Sequence, residues 1–444
     1  MQTITRTLRG IDMISLDTTR HCNARCLFCF NDWASFRPYR MDAEAFKKVL
    51  PLLPMLSDEG QFLVGCWFEP TINPDFYKIL KMLPEESRNK TYYTTNLAVP
   101  LTDEQIDIMC TSNVHHINIS LESYNQEIYQ KITKVTNGNF YENLRRLSAA
   151  AKRNNMELRL ISMMLKCNKK EFPDLIRRAH EEVCPSEHEI RTPFFYEEDT
   201  DNKQEIFDEL LTRAEIDDVR EKVEAFDYTN LSWHTGTSKE DFVRYEEDHR
   251  FYEEKKPGIT YWVRINADGV GRVGDPKEGT AFNLQTLEDA EAFFRTELLK
   301  LEKEDAKREE VPAQDLKFKH ALSSFPASVD SIKLYDGRFL EVSGWETGAL
   351  DSFVSGGERV AVLETDDRRQ VVRMRSVDRP DVARALNNTR YTSSGFKLLF
   401  DCLADPGDEF RVYDAWLKGR TVYLLGVLYG DTPRKRGLLG KLFG

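Results

Sequence analysis

The sequence predicts an α/β fold in its first half, then a small α+β segment and an all-β domain. Up to about residue 200, apolar runs typical of strands alternate with stretches typical of amphipathic helices. Six strand–helix units in succession favour a parallel sheet wrapped by helices, either a partial barrel or a doubly wound sheet. After Pro312, short runs of alternating apolar and polar residues around turns indicate the all-β domain.

The six strands of the first half are predicted from apolar or alternating segments. They are 11–19, 61–65, 90–95, 114–121, 156–165 and 188–196. Between them, Thr102 with Gln105 three positions later forms a capping box, and Asn73 followed by Pro74 is a second helix start. Because crossovers between parallel strands are right-handed, we expect the carboxyl ends of the strands to share one face, where a site is built.

Changes in composition predict the domain boundaries. We place the first domain at 1–200, a helical linker with a small α+β extension at 201–315, a β-sandwich-like module at 316–432 and a basic tail at 433–444. Within the second segment, residues 259–274 predict a hairpin that turns at Asp268-Gly269.

Composition and charge exclude several classes of protein. The chain has 444 residues, of which 41% are hydrophobic and 31% charged, as in an ordinary soluble protein. A net charge of −12 argues against nucleic acid as a partner. No run approaches the roughly 18 apolar residues of a transmembrane segment. The start of the chain lacks the layout of a signal peptide, and the scattered cysteines suit a reducing compartment, so we expect a cytoplasmic protein.

Three of the eight cysteines lie in one short loop directly after the first predicted strand. Cys22, Cys26 and Cys29 have the spacing Cys-x3-Cys-x2-Cys, which suits iron–sulfur clusters or zinc. Structural zinc takes four ligands, usually as two pairs, and no fourth cysteine or histidine follows Cys29 at a local spacing. We therefore predict a cluster with three protein ligands and one iron left open to a substrate or cofactor.

The segment CNARCLFC (22–29) resembles the signature loop of the radical S-adenosylmethionine (SAM) enzymes. The resemblance implies a partial (β/α)6 TIM-like barrel and a 4Fe–4S cluster whose open iron is chelated by the amino and carboxylate groups of SAM. It also implies an enzyme in which reduction of the cluster splits SAM into methionine and a 5′-deoxyadenosyl radical, which abstracts hydrogen from an organic substrate. A low-potential electron donor such as flavodoxin or ferredoxin is the implied partner.

Further motifs extend this resemblance. WFEP (67–70) is similar to the family's Gly-Gly-Glu-Pro motif, although Trp67 and Phe68 replace the glycines; it implies that Glu69 holds the SAM ammonium. TTN (94–96) and SLES (120–123) resemble the ends of the third and fourth barrel strands, near the SAM ribose. The implied cofactor-binding residues are Phe28, Glu69, Thr95, Asn96, Ser120 and Glu122.

The fourth predicted strand supports a site independently of the resemblance. Its even positions His116, Asn118, Ser120 and Glu122 are polar, and the positions between them are apolar. A barrel strand with one face towards a site has this pattern. An edge strand with one solvent-exposed face would have it as well.

Residues 259–276 resemble the opening of the SPASM or twitch extension, a region of many radical SAM enzymes that carries auxiliary clusters. A cysteine follows the Asp-Gly turn in that family, but Val273 stands near this place and no cysteine occurs between Cys184 and Cys402. We therefore expect a SPASM-like scaffold without an auxiliary cluster. That expectation favours redox-neutral outcomes, namely epimerisation, rearrangement or elimination.

An epimerase must return a hydrogen to its substrate, and a cysteine thiol is the usual donor. Cys167 falls where the fifth predicted strand meets its helix, at the expected rim of the barrel, and is our candidate catalytic residue. Cys66 has the parity opposite to that of Glu69, so we expect it to pack against a helix.

The substrate is the least constrained part of the prediction. Short words in the last module, SGWE and SGFKLLFD, resemble a β-sandwich appended to sugar-handling proteins, so we expect a sugar or nucleotide-sugar substrate. The alternatives are a SPASM-type peptide-modifying enzyme and a non-catalytic binding protein with a structural cluster. Since the first strand begins near residue 11, we expect no N-terminal leader-peptide-binding domain.

Overall fold

The computed structural model describes most of the chain. The described residues are 5–6, 10–29, 38–135, 139–193, 203–234, 236–248, 261–275, 278–311, 316–320, 327–335, 339–346, 358–365, 369–377, 395–401, 410–418 and 420–429. They form two compact units, Gly10–Glu297 and a second unit that combines Met1–Arg9 with Leu298–Gly444. The basic tail and Cys402 lie outside the described residues, and the domain boundaries drawn from the sequence remain predictions.

The described strands are numbered in chain order. They are β1 (Thr5–Arg6), β2 (Ile11–Leu16), β3 (Leu56–Val64), β4 (Thr91–Thr95), β5 (His116–Ser120), β6 (Glu157–Met163), β7 (Glu187–Arg191), β8 (Leu231–His234), β9 (Trp262–Ile265), β10 (Val270–Val273), β11 (Thr280–Asn283), β12 (Glu310–Val311), β13 (Lys317–His320), β14 (Ala327–Tyr335), β15 (Phe339–Glu346), β16 (Glu358–Glu364), β17 (Arg369–Arg373), β18 (Arg375–Val377), β19 (Gly395–Asp401), β20 (Arg411–Lys418) and β21 (Thr421–Tyr429).

The described helices lie mainly between the strands of the first unit. The α-helices are α1 (Ala43–Phe46), α2 (Phe76–Met82), α3 (Asp103–Thr111), α4 (Gln126–Thr133), α5 (Phe140–Asn154), α6 (Phe172–Glu182), α7 (Lys203–Glu209), α8 (Arg213–Glu224), α9 (Lys239–Asp248) and α10 (Ala290–Glu309). Short 3-10 helices span Leu50–Met55, Pro70–Ile72 and Glu85–Lys90. The predicted capping box is present at α3, where the Thr102 hydroxyl accepts the Gln105 N–H and the Gln105 side chain accepts the Thr102 N–H.

The first unit is built on one sheet with the order β11-β10-β9-β2-β3-β4-β5-β6-β7-β8. From β2 to β8 each strand pairs in parallel with the next one along the chain. The α/β fold with a parallel, TIM-like core is therefore confirmed, and its six strands match the predicted segments. A seventh parallel strand, β8, was missed, because its four residues lie in an acidic segment of helical composition.

Alternation along the strands sets the two faces of this sheet. Ile117 and Ile119 on β5 are fully buried, whereas Asn118 and Ser120, which alternate with them, are half-buried. The face that carries the polar residues of β5 is called the inner face below. As predicted for parallel strands, the loops after β2, β3, β4 and β5 all leave at the same edge.

The predicted hairpin in the extension is present as β9 and β10. Its turn closes through the Gly269 N–H, which donates to the Asn266 carbonyl at 2.9 Å, and Gly269 has a φ of +81° that favours glycine. The hairpin continues the sheet, because β9 pairs in parallel with β2. The extension therefore adds strands beside the first strand of the barrel.

The second unit contains two sheets, β1-β14-β15-β19-β18 and β12-β17-β16-β20-β21-β13. One apolar cluster joins them, with Val342 and Phe396 from the first sheet against Leu363 and Val412 from the second. Two sheets that share one core form a β-sandwich. The parallel pairing of β1 with β14 had no counterpart in the sequence pattern.

No helix in the described part of the chain is both long and apolar enough to cross a membrane.

Candidate active site

The loop with the three cysteines follows β2 and is fixed to the end of α4. The backbone N–H groups of Arg25 and Leu27 donate to the carbonyls of Thr133 and Ile132, both at 2.9 Å. Within the loop, the Cys29 N–H donates to the Cys26 carbonyl at 3.0 Å. Main-chain contacts with the end of α4 therefore hold the loop, and within it the Ala24 N–H also donates to Cys22 Sγ at 3.4 Å.

The three thiols are half-buried and lie close enough to affect one another. Burial raises the pKa of Cys22 to about 12, with the Glu69 carboxylate and Cys29 adding to the effect. The pKa of Cys26 is also raised, first by burial and then by the charges of Glu122, Cys22 and Cys29. The free thiols are therefore protonated near neutral pH, and metal binding at this loop must release protons.

These donors fit a 4Fe–4S cluster. Thiolates are the ligands that such clusters take from proteins. Structural zinc sites take four protein ligands, whereas this loop supplies three cysteines. A cubane instead spreads three thiolates over three irons, and three cysteines on one loop meet that need.

Glu69 follows a tight turn at the end of β3. Gly65 has a φ of +87°, and a Cβ there would lie 2.7 Å from the Pro70 side chain, so this turn needs glycine. Glu69 then caps the 3-10 helix that begins at Pro70 by accepting the Thr71 N–H. The turn and the cap place the Glu69 carboxylate at the carboxyl edge of the sheet.

The Glu69 carboxylate is only 3% exposed and is anchored by four donors. Its Oε1 accepts the Thr71 N–H at 3.2 Å and the hydroxyls of Thr71 at 2.5 Å and Thr95 at 2.7 Å, while Oε2 accepts the Asn96 N–H at 2.6 Å. Burial raises the pKa of Glu69, and these hydrogen bonds oppose the rise. Since a carboxylate has about four acceptor positions, Oε2 can still accept an ammonium.

Asn96 connects Glu69 to the cysteine loop. Its backbone N–H donates to Glu69 Oε2, and its side-chain amide lies 3.8 Å from Cys22 Sγ. The next residue, Leu97, is fully buried with a φ of +51°, a strained conformation for a leucine. The Asn143 amide holds it by donating to the Leu97 carbonyl at 2.9 Å. The structure therefore brings the predicted residues Glu69, Thr95 and Asn96 together.

Glu122 follows β5 and approaches the loop from the other side. It is 2% exposed, its Oε2 accepts the Met163 N–H at 3.0 Å, and burial raises its pKa to about 8. Tyr129 on α4 is also buried here, and its pKa is raised by burial first and then by the charges of Cys26 and both glutamates. Sequence reasoning missed this tyrosine, which the motifs do not include. Ser120, at the end of β5, is half-buried.

Phe28 and Cys167 pack against the same small apolar cluster, which contains Ile132, Met163 and Leu165. The Cys167 N–H donates to Glu209 Oε2 at 2.7 Å, and Glu209 Oε1 is paired with Lys131 Nζ at 2.5 Å. Burial, followed by the Glu209 charge, raises the pKa of the Cys167 thiol to about 12. The thiol is therefore placed beside Phe28 and a carboxylate, and Glu209 was not predicted.

The comparison with protein families agrees with this arrangement. Residues 16–179, which include the cysteine loop, Glu69, Asn96 and Glu122, match the family model of the radical SAM superfamily. The chain contains a radical SAM domain. Proteins of this superfamily are enzymes that use a 4Fe–4S cluster and SAM. The predicted superfamily and, at that level, the predicted cofactors are confirmed.

Similarity to individual proteins is confined to part of the chain. A GTP 3′,8-cyclase from Chlorobaculum tepidum is 24% identical over 126 residues, which are 28% of this chain and 37% of that protein. A GTP 3′,8-cyclase from Synechocystis sp. is 26% identical over 174 residues, which are 38% of this chain and 51% of that protein. The chain thus spans about half or less of the length of these two relatives.

Two solved structures are similar to part of this chain, at low sequence identity. Streptococcus suis SuiB bound to S-adenosylmethionine has a TM-score of 0.47 and 17% identity, covering 64% of this chain and 66% of SuiB. The protein anSMEcpe with bound AdoMet has a TM-score of 0.42 and 14% identity, covering 65% of this chain and 79% of that chain. Scores below 0.5 carry no conclusion about function.

The first unit has a polar cavity of about 170 Å³ on the inner face of its sheet, between β3 and β7. Two ion pairs line it: Arg159 with Glu187 at 2.9 Å, and Arg191 with Glu189 through two contacts of 2.7 Å. The cavity also contains His116, whose ring stacks on Tyr92 with centroids 4.8 Å apart, and Asn118. The predicted polar face of β5 thus lines a cavity, and alternation on β6 and β7 could have identified the charged positions.

The radical SAM domain also receives contacts from the extension. Asp17, one residue after β2, accepts the N–H groups of Cys66 at 3.2 Å and Trp67 at 2.9 Å through Oδ1. Its Oδ2 pairs with Arg264 on β9, and the Arg264 guanidinium lies 4.5 Å above the Trp67 ring. This network was missed, because it depends on the pairing of strands 247 residues apart.

The structure places the Cys66 thiol beside Arg264 of β9, and its packing against a helix stays a prediction. Burial raises the pKa of its thiol to about 12 and the Asp17 charge adds to this rise, whereas the neighbouring Arg264 guanidinium opposes it. The turn at Gly65 interrupts the strand alternation, so parity counted from Glu69 does not apply to Cys66.

Proposed function

We propose that this protein is a radical SAM enzyme that cleaves SAM reductively at a single 4Fe–4S cluster and acts on a small polar substrate. One observation carries the proposal. Asn96 contacts the Cys22 thiol through its side chain and the buried Glu69 carboxylate through its backbone. Asn96 thereby lies between the cysteine loop, which would hold the cluster, and the carboxylate, which would bind an ammonium group. Chelation of SAM requires these two groups to be close in space.

Each predicted residue has a role in this proposal. Cys22, Cys26 and Cys29 hold the cluster. Glu69 accepts the SAM ammonium, and Thr95 and Asn96 fix the Glu69 carboxylate by donating hydrogen bonds to it. Phe28 lies beside the adenine, and Ser120 and Glu122 contact the ribose. When bound, the cluster supplies the electron that splits SAM into methionine and a 5′-deoxyadenosyl radical. In this proposal the cofactor lies at the carboxyl edge of the sheet and the substrate at its inner face.

We place the substrate in the polar cavity and favour a sugar or a nucleotide-sugar. Hydroxyl groups can exchange hydrogen bonds with the paired charges of Arg159, Glu187, Glu189 and Arg191, and the stacked Tyr92–His116 pair offers a flat surface to a sugar ring. The two relatives described above are named for a nucleotide substrate, GTP, which supports the same class.

The reaction we propose is redox-neutral. No cysteine lies between Cys184 and Cys402, so the extension has no thiolates for an auxiliary cluster that would accept an electron from the product radical. Cys167 stays our candidate hydrogen donor, since its raised pKa keeps the S–H bond intact at neutral pH. A low-potential flavodoxin or ferredoxin would supply two electrons per turnover, in the reducing cytoplasm that clustered free thiols require. One electron would reduce the cluster, and the other, with a proton, would return the thiyl radical left on Cys167 to the thiol.

The central experiment is anaerobic reconstitution with iron and sulfide, followed by SAM and dithionite. We expect 5′-deoxyadenosine and methionine in equal amounts. A Cys26→Ala protein, matched by Cys184→Ser at an exposed site, should give none, whereas the control should match wild type. An intact cluster without any SAM cleavage would contradict the proposal and favour a binding protein with a structural cluster.

The substrate class is tested separately with panels of sugars, nucleotide-sugars and peptides. A true substrate should accelerate 5′-deoxyadenosine formation. When the substrate carries deuterium at the carbon that reacts, the deuterium should appear in 5′-deoxyadenosine. Arg191→Met should abolish this acceleration but keep the basal cleavage. Arg177→Met, which breaks two exposed ion pairs on α6, should change neither. Acceleration by peptides alone would replace the sugar hypothesis with the SPASM-type peptide-modifying alternative.

A further inference from the structure

We propose that Arg264, supplied by the extension, is a positioning residue for the SAM site. Through Asp17 it fixes the backbone that leads into Glu69. The extension would thus be a part of the cofactor site even without a cluster of its own. The inference rests on the proposed function, specifically on the role of Glu69.

The first step is the docking of β9 on β2. Ser15 is the register partner of Arg264, and the Asp17 N–H donates to the Ile265 carbonyl at 2.9 Å. The Trp262 indole N–H donates to the Ser15 hydroxyl at 3.1 Å. Backbone and side-chain bonds therefore place Arg264 directly beside Asp17, at the point where the cysteine loop begins.

The second step is a buried ion pair. The side chains of Asp17 and Arg264 are 1% and 15% exposed. A carboxylate in such a setting is strongly destabilised unless a positive charge compensates it. Burial indeed raises the Asp17 pKa, and the Arg264 charge opposes that rise. The Arg264 guanidinium therefore opposes neutralisation of Asp17, and the ion pair fixes the orientation of the carboxyl group.

The third step runs from Asp17 to Glu69. Asp17 Oδ1 accepts two successive backbone N–H groups, those of Cys66 and Trp67, directly after the turn at Gly65. Glu69 is two residues further on. The same guanidinium also lies over the ring of Trp67, which is 39% exposed. Arg264 therefore contacts the segment that precedes Glu69 in two ways: indirectly through Asp17, and directly through the indole ring of Trp67.

These two contacts account for a departure from the family motif. Trp67 and Phe68 stand where the motif has two glycines. A side chain at the first of these positions must be directed away from the SAM-binding backbone. Stacking on Arg264 gives Trp67 such a place, so in this chain the bulky residue and the arginine of the extension form a pair.

The test compares four variants with the reconstituted full chain. Arg264→Met removes the positive charge, and the double variant Asp17→Ala with Arg264→Met removes both charges, so that no buried carboxylate is left unpaired if the single variant fails to fold. Arg264→Lys keeps the positive charge but lacks the planar guanidinium group with its several N–H donors. Arg272→Met is the matched control: it is the register partner of Arg264 on β10, and its guanidinium donates to the Gly279 carbonyl at 2.7 Å.

The readouts are circular dichroism, iron content, the SAM dissociation constant by equilibrium dialysis, and the EPR spectrum of the reduced cluster with and without SAM. We expect Arg264→Met and the double variant to keep fold and iron but to weaken SAM binding about tenfold to a hundredfold, with a loss of the SAM-dependent change in the EPR spectrum. Arg264→Lys should recover part of the affinity, and Arg272→Met should match wild type.

Two results would overturn the inference. One is a folded double variant with wild-type SAM affinity and a wild-type EPR change. The other is an equal loss of affinity in Arg272→Met, which would mean that any damage to the hairpin weakens the site. Failure of the wild-type protein itself to bind SAM is a different outcome, because it refutes the proposed function.

Discussion

The backbone N–H of Asn96 donates to Oε2 of Glu69 at 2.6 Å. Because the Asn96 amide also reaches Cys22 Sγ at 3.8 Å, the ends of β3 and β4 and the loop after β2 converge on one spot. Two crossovers, from β2 to β3 and from β3 to β4, connect these segments, and the parallel sheet brings them to one edge. The first two predictions examine the two ends of this contact.

Replacing Glu69 by glutamine should weaken SAM binding more than it weakens the fold. The amide keeps one acceptor oxygen but turns the other into a donor, so one of the present donors loses its partner, at about 1–3 kcal/mol of the free energy of unfolding. Loss of the charge opposite an ammonium should lower SAM affinity about tenfold to a hundredfold.

Urea unfolding and equilibrium dialysis measure these two effects. Glu182→Gln is the matched control, because Glu182 is an exposed partner of Arg178 on α6. A Glu69→Gln protein that binds SAM like wild type would rule out the ammonium contact.

Removal of any one cysteine of the loop should strip the cluster. With Cys22→Ala, Cys26→Ala or Cys29→Ala, we expect iron affinity to fall by at least about a hundredfold, as even less direct changes around metals cost 10–100-fold. Iron and labile sulfide after reconstitution give the measurement. The exposed Cys184 and the buried Cys110 serve as controls, and equal iron loss in either would assign the cluster elsewhere.

The Cys167 thiol should react slowly with iodoacetamide. With a pKa of about 12, only about a thousandth of it is thiolate at pH 9, and the rate should rise about tenfold per pH unit up to pH 11. Mass spectrometry can follow it against exposed Cys184 in the same protein. Glu209→Gln removes a negative charge that raises this pKa, so it should accelerate the reaction. Rapid alkylation at neutral pH would contradict the raised pKa of this half-buried thiol and weaken its case as hydrogen donor.

His188 should make the fold sensitive to acid. It is fully buried on β7, its Nε2 lies 2.9 Å from the Ser162 hydroxyl, and its Nδ1 is buried without a hydrogen-bond partner. Burial, with the nearby His180, lowers its pKa from 6.5 to about 3. Between pH 3 and pH 6.5, His188 is therefore protonated in the unfolded chain but neutral in the folded chain. Neutral burial of His188 costs no stability above pH 6.5, and the free energy of unfolding falls as the pH is lowered from 6.5 towards 3.

Between pH 7.5 and pH 5, this single group should lower the free energy of unfolding by about 2 kcal/mol. Urea unfolding at the two pH values measures the loss. His188→Gln should remove this share of the acid dependence, whereas His234→Gln, at a half-exposed position, should leave it intact. His116, whose pKa is also lowered to about 3 by burial, contributes separately. The same acid dependence in wild type and His188→Gln would show that another group is responsible.

Much of the candidate site could be predicted because its signals are local. The spacing of Cys22, Cys26 and Cys29 is a property of eight residues, and Glu69 lies in a four-residue motif. Alternation along β5 depends only on the geometry of an extended chain, so it correctly separated the polar inner positions from Ile117 and Ile119. Local features of this kind survive in whatever tertiary structure forms.

The sequence by itself therefore determined the parallel core, the thiol loop, the hairpin of the extension and the all-β end of the chain. Only the tertiary structure decided that β9 pairs with β2, that Arg264 meets Asp17 and that Glu209 meets Cys167. The physical reason is that such contacts join segments 42 to 247 residues apart. Whether two distant side chains meet depends on strand register and on which edge of a sheet is free, and neither leaves a pattern in the residues that flank them.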